Sequence, residues 1–176
     1  RKKLIRNIFK EYHHKYAYEN DLQKLSSAIV YIKNMMLAGK QILDIEADYL
    51  HLNDMYNAYQ SALDKQNQMD QMIFALKILR EDGDALHSLQ QRYKYICVDE
   101  AQDTSRIQHE IIRLLACGNN LFMVGDEDQS IYGFRAAYPK ALLNFTYDYP
   151  NPYILRMERN YRSTNQIVEK AQTFIS

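Results

Sequence analysis

Tryptophan is absent from this chain, cysteine occurs twice, glycine five times, and 22 basic side chains cancel 22 acidic ones. Each scarcity removes a class of protein. Cys97 and Cys117 stand apart and neither belongs to a C-x-x-C, so cysteine cannot build a metal cluster, and a reducing compartment is the plain expectation. A formal charge of zero argues against a strongly basic nucleic-acid clamp. It leaves room for binding single strands, where aromatic stacking shares the work with charge. Fifteen tyrosines supply stacking surfaces, although most tyrosines in most proteins simply pack. No apolar run approaches the roughly 20 residues that span a bilayer, so no membrane association is expected. The basic start Arg1-Lys2-Lys3-Leu4-Ile5 is followed by neither a long apolar stretch nor a cleavage site and is not read as a signal peptide. The glycines exclude one motif outright. A phosphate-binding loop needs G-x-x-x-x-G-K-[ST]; none of Gly39, Gly83, Gly118, Gly125 and Gly133 lies five residues from another, and Gly39-Lys40 continues with Gln41.

What is present divides the chain in two. Its 176 residues suit one domain or one and a half. The first ninety or so read as helices. Leu22, Leu25, Ile29, Ile32 and Met36 fall at steps of three and four, with Gly39 expected to end the helix. Met69, Met72, Ile73, Leu76 and Leu79 repeat the stripe up to the breaker Asp82-Gly83-Asp84, and Tyr49 to Leu63 is helix-compatible. From Tyr93 short apolar runs alternate with helical spacing. The runs are Tyr95–Val98, Leu121–Val124 and Tyr153–Leu155; the helical stripes are Ile107, Ile111, Leu114, Leu115, then Ala141, Leu142, Phe145, then Ile167, Val168, Ala171, Ile175. Ser105 with Gln108 suits a capping box, Pro139 a first helical turn, and Ser163 or Thr164 an N-cap. Strands alternating with helices predict an α/β fold: a parallel sheet covered on both faces, binding ligands beyond the carboxyl ends of its strands. Asp99, Glu100 and Asp126 stand at those ends.

Three segments carry chemistry. In Val98-Asp99-Glu100-Ala101-Gln102-Asp103 an apolar strand delivers two adjacent acids to a loop. Neighbouring residues leaving a strand diverge, so one can reach a magnesium ion while the other orients or deprotonates water. Taken alone, two such acids are more often a solvated turn. In Val124-Gly125-Asp126-Glu127-Asp128-Gln129-Ser130-Ile131-Tyr132-Gly133-Phe134-Arg135, Gly125 permits a turn and Gln129 offers a neutral amide to a terminal phosphate. Tyr132, Phe134 and Arg135 could line a groove wall, though aromatics so placed are usually core. The acids there could equally bind Ca²⁺ or Mg²⁺, but the twelfth-position Glu of an EF-hand is missing. In Glu158-Arg159-Asn160-Tyr161-Arg162-Ser163-Thr164, two arginines at a helix start make an anion-binding position or, more blandly, a capped helix with solvated arginines.

Together the order VDEAQD, VGDEDQSIYGFR, NYRST resembles motifs II, III and IV of the UvrD/Rep/PcrA superfamily 1 DNA helicases, densely over residues 93–176. Lys33-Asn34 and Tyr59-Gln60-Ser61-Ala62-Leu63 look like the helical insertion of that family's first motor domain. The resemblance implies a helical insertion subdomain over 1–92 and a partial RecA-like motor domain over 93–176. It implies that Asp99 binds Mg²⁺, that Glu100 is the catalytic base, and that Gln129 contacts the γ-phosphate. Tyr161 would stack on adenine, and Arg162 would act as an arginine finger. Tyr132, Phe134 and Arg135 would meet single-stranded DNA, with Phe134 in place of the family's common tryptophan and Ala136-Ala137 in place of Gly-Ala. Around Asp70, Gln68-Met69-Asp70-Gln71 departs from the denser acid pair found in the family. The implied parent is a cytoplasmic, ATP- and Mg²⁺-dependent helicase of DNA repair or replication, acting on single strands and duplex junctions. The piece itself, lacking the phosphate-binding loop and a second motor domain after Ser176, is expected to be inactive. Two other classes stay open: a non-catalytic binding module, and a magnesium-dependent nuclease built on Asp99, Glu100, Asp126 and Asp128.

Overall fold

The computed structural model describes residues 1–45, 49–66, 70–116, 121–126, 129, 137–138 and 140–175. They fall into two compact units, Arg1–Asn144 and Phe145–Ser176. The chain is mostly helical, with a small parallel sheet of two strands among the described residues.

The expected helical first half is present. Helices α1 (Lys2–His13), α2 (Glu19–Asn34), α3 (Lys40–Ile45) and α4 (Leu52–Lys65) close around one core. The stripe read from the sequence is its spine: Leu22, Leu25, Ile29 and Ile32 are buried, against Phe9, Leu52, Met55, Tyr59 and Leu63 from α1 and α4. Each such apolar side chain withdrawn from water contributes about 1.5–3 kcal/mol before entropy is counted. Helix α2 ends earlier than Gly39. The Leu37 N–H donates to Ile32 O (2.9 Å) and the Met36 N–H to Lys33 O (3.1 Å), a Schellman-type stop. Met36, at φ 53, takes the left-handed position that glycine usually fills.

Helix α5 (Gln71–Glu81) carries the second stripe, with Leu76 and Leu79 buried; Met69 lies outside the described residues. The breaker is only one residue wide. Asp82 ends α5 through its N–H to Ile78 O (2.8 Å) and caps α6 (Gly83–Arg92) by accepting from the Ala85 N–H (2.9 Å). Lys33, Tyr59 and Asp70, scattered in sequence, meet in space. Lys33 is buried, its Nζ lies 3.2 Å from Asp70 Oδ2 and 4.9 Å from the Tyr59 ring centre, and Asp70 caps α5 through Met72 N–H at 3.2 Å. A lone buried ammonium would be costly; the carboxylate and the ring face compensate it.

Helix α7 (Arg106–Leu115) packs against α2, α5 and α6. Arg80 of α5 and Arg113 of α7 grip Glu110 at 2.9 and 3.0 Å. The Ser105–Gln108 capping box is present, with the Ser105 N–H donating to Gln108 Oε1 at 2.7 Å.

Strands β1 (Ile96–Val98) and β2 (Leu121–Met123) pair in parallel, Ile96 opposite Leu121, Cys97 opposite Phe122 and Val98 opposite Met123. Two expectations need correction. Among the described residues the sheet is not covered on both faces: alternate residues point to opposite sides, and Cys97 and Phe122 are exposed, Phe122 at 58%. The third apolar run, Tyr153–Leu155, is not a strand; its residues are 58–87% exposed and no described residue supplies a ladder to it. Apolar composition makes a strand only where a neighbouring strand takes up the backbone hydrogen bonds.

After β2 the first unit ends in α8 (Lys140–Leu143), which packs on the short 3₁₀ turn Ala101–Asp103; Pro139 is outside the described residues. The second unit contains α9 (Phe145–Asp148), where the Phe145 and Tyr149 rings lie 4.7 Å apart, and α10 (Asn165–Ile175). Thr164 precedes α10, and its carbonyl accepts from the N–H groups of Ile167 (3.0 Å) and Val168 (3.1 Å).

Candidate functional site

The two strands finish side by side, and their ladder runs on into the loops. Val124 N–H donates to Val98 O at 2.8 Å, and Ala101 N–H donates back to Val124 O at 2.9 Å. The chain therefore leaves both strands at the same edge of the sheet. Asp99 and Glu100 emerge from β1 there, and Gly125 and Asp126 from β2.

At Glu100 the backbone enters the left-handed region, φ 50 and ψ 44, which costs a non-glycine residue on the order of 1–3 kcal/mol. That turn separates the two acids. Asp99 Oδ1 accepts the Glu100 N–H at 2.9 Å, and both side chains face solvent. The next turn is fastened by Thr104, whose hydroxyl donates to Ala101 O at 2.6 Å. An antiparallel bridge between Ser105 and Ala137, extended by Tyr138 N–H to Thr104 O at 2.8 Å, returns the later segment to the same place.

Gln102 sits beneath the acids. Its side chain is 2% exposed, its Nε2 donates to Glu100 Oε2 at 2.5 Å, and its Oε1 accepts the Asp126 N–H at 3.0 Å. Gly125 makes room for it: a Cβ there would stand 2.7 Å from Gln102 Oε1 and from Leu142 Cδ1, and 3.2 Å from the Gln102 backbone nitrogen. Gln129 follows on the surface, its N–H to Asp126 O at 3.1 Å and its Nε2 to Asp126 Oδ2 at 2.7 Å. Glu100, Gln102, Asp126 and Gln129 are thus joined hydrogen bond by hydrogen bond. In the sequence Gln102 is marked only as an uncharged amide among acids.

Asp99, Glu100 and Asp126 stand at one edge of the sheet, where the alternation of strands and helices puts them, and Gln129 is hydrogen-bonded to Asp126. Asp128, Tyr132, Phe134 and Arg135 lie outside the described residues. Among the described residues no group of three or more His, Cys, Asp or Glu side chains is disposed to hold a metal ion. The donor chemistry suits Mg²⁺ nonetheless: that ion takes hard oxygens and is commonly held by one or two carboxylates together with substrate phosphates.

Tyr161 and Arg162 belong to the second unit. Asn160 shapes their loop, its Oδ1 accepting the N–H groups of Arg162 and Ser163, each at 2.9 Å. The Arg159 guanidinium lies 5.1 Å from the Tyr161 ring centre, and the tyrosine is 79% exposed. Both side chains of the expected nucleotide contact are open to solvent.

Among the described residues no helix is long and apolar enough to cross a membrane. Residues 1–150 match the family of the UvrD/REP helicase N-terminal domain. The chain is 40% identical over 127 residues to ATP-dependent DNA helicase PcrA of Leuconostoc citreum, covering 70% of this chain and 17% of that protein. It is 34% identical over 181 residues to PcrA of Bacillus subtilis (98% of this chain, 24% of that protein). It is also 34% identical over 161 residues to ATP-dependent DNA helicase Rep of Buchnera aphidicola from Acyrthosiphon pisum (88% and 25%). The chain therefore spans a quarter or less of the length of these relatives. On the match over residues 1–150, the chain belongs to the UvrD/REP helicase N-terminal domain family.

Proposed function

We propose that this chain is the magnesium-binding and γ-phosphate-sensing part of the first motor domain of a cytoplasmic ATP-dependent DNA helicase of repair or replication. In this reading residues 1–92 are the helical insertion and 93–176 part of a RecA-like domain. The motor couples ATP hydrolysis to movement on single-stranded DNA and to opening of duplex junctions. The observation that carries it is the union of two loops at the carboxyl ends of parallel strands, with Glu100, next to Asp99, tied to Asp126 and Gln129 through Gln102. Parallel α/β sheets bind their ligands at that edge.

Asp99 holds Mg²⁺, which when bound with the nucleotide neutralises charge developing on the phosphates. Glu100 accepts a proton from the attacking water. Gln129 contacts the γ-phosphate, Tyr161 stacks on adenine, and Arg162 stabilises the charge of the transition state. Tyr132, Phe134 and Arg135 meet single-stranded DNA. Without a G-x-x-x-x-G-K-[ST] the chain by itself does not turn over ATP.

The test is Glu100→Gln in the full-length protein. Nucleotide binding should survive while DNA-stimulated hydrolysis falls about 10²–10⁴-fold, the usual worth of a general base. Unchanged hydrolysis with collapsed binding would overturn the assignment of the two acids. Metal-dependent strand cleavage by the chain would favour a nuclease instead.

A further inference from the structure

A buried neutral amide is stable only if both its ends are hydrogen-bonded. Gln102 meets this condition with partners from two different loops, Glu100 Oε2 at 2.5 Å and the Asp126 N–H at 3.0 Å. The Asp126 N–H can only donate, so the amide oxygen must face it and the amide N–H must face Glu100. Donor and acceptor are therefore set by the loop after β2, and the carboxylate of Glu100 receives the orientation that results. Glutamate would place a second carboxylate against Glu100. Asparagine is one methylene too short to span both loops. Gly125 leaves the amide its space, since a Cβ would lie 2.7 Å from Gln102 Oε1. Beyond Asp126 the route continues to Gln129 Nε2 at 2.7 Å.

We infer that Gln102 is a positioning residue: it aims the Glu100 carboxylate and ties that aim to Asp126 and, through it, to Gln129. This rests on Glu100 being the general base. It requires that Gln102 act through Glu100 and not merely by holding the fold together.

The experiment is a double-mutant cycle in the full-length protein, with kcat, nucleotide Kd and thermal melting measured for Gln102→Met, Gln102→Glu, Glu100→Gln and the doubles. Gln102→Met keeps the side-chain length. Gln102→Glu keeps an acceptor for the Asp126 N–H and removes the donor to Glu100. Each should lower kcat about 10- to 100-fold, as loss of an orienting partner does, with nucleotide Kd nearly unchanged. Added to Glu100→Gln, neither should lower kcat further, because the group it positions is already gone. Losses that multiply in the double mutants would assign Gln102 a structural role only and overturn the inference. So would wild-type kcat in Gln102→Glu, which also decides the matter if Gln102→Met fails to melt cooperatively. Should Glu100→Gln itself retain turnover, the base assignment falls and this inference with it. Should Glu100→Gln abolish turnover while the Gln102 variants keep wild-type kcat, this inference alone falls.

Discussion

The amide nitrogen of Gln129 donates to Asp126 Oδ2 at 2.7 Å. The same amide carries a second N–H, so a phosphate contact there would be linked to Asp126 through the bond already present. Gln129→Ala in the full-length protein should therefore retain much of the DNA binding but blunt the stimulation of ATPase activity by DNA. Phe134→Ala should do the reverse, losing stacking worth about 1–3 kcal/mol and weakening strand binding more than DNA-free hydrolysis. Both are measured with and without oligonucleotide at one salt concentration, because charge contacts vary with salt. Equal stimulation in Gln129→Ala and wild type would remove Gln129 from the coupling.

Gly125→Ala tests how tightly the loops fit. The added methyl meets two side-chain atoms at 2.7 Å and a backbone nitrogen at 3.2 Å. Side chains can turn away, but the backbone nitrogen cannot move without the turn that holds Glu100. A loss of about 1–3 kcal/mol in urea unfolding is expected, as for overpacking elsewhere, with a fall in turnover alongside. Wild-type stability and turnover would mean the loops are loosely joined.

Arg162 is assigned through its motif, and its loop is formed by Asn160. Arg162→Ala should lower turnover about 10³-fold or more if the guanidinium meets the transition-state charge. A change of a few-fold, with helix α10 intact by circular dichroism, would leave it a solvated arginine beside a capped helix.

His13 predicts a pH dependence of stability. Burial holds its pKa below the ordinary 6.5, Lys15 and His51 push the same way, and Asp21 only partly opposes them. Its ring stacks on Phe9 at 4.4 Å and meets Tyr49 edge-on at 5.9 Å. The folded chain thus keeps His13 neutral while the unfolded chain takes up a proton as pH falls through 6.5. Stability should be full above that value and decline below it until the depressed native pKa is passed. Glu19, favoured as the anion by Lys2, and Glu110, held low by Arg113 and Arg80 against its own burial, act only below about 4.5, so the windows separate. Melting temperatures at pH 7.5 and 5.5 should differ, and His13→Phe should narrow the difference. An equal drop in both proteins would place the titration elsewhere.

Local signals were legible wherever neighbours along the chain carry the energy. The stripe Leu22, Leu25, Ile29, Ile32 became the spine of the first core because helical spacing alone puts those side chains on one face. The Ser105–Gln108 capping box formed as its spacing suggested, since both partners lie within one turn. Asp99, Glu100 and Asp126 reached the same edge because alternating strands and helices already imply parallel pairing.

Other features needed partners distant in sequence. Nothing in Tyr153-Ile154-Leu155 distinguishes it from the two runs that did form strands, because a ladder is a property of two segments. The stop of α2 just before Met36 is hidden because a methionine in the left-handed region, where glycine is usual, leaves no mark in the sequence. Gln102 was silent for the same reason. Its composition is that of any surface amide, and only the fold, by burying it between Glu100 and the Asp126 N–H, gives it two partners and a direction. Which residues reach the edge of the sheet follows from the order of strands and helices along the chain; how they are joined there follows from the fold, because hydrogen bonds between loops depend on distances that spacing along one chain does not contain.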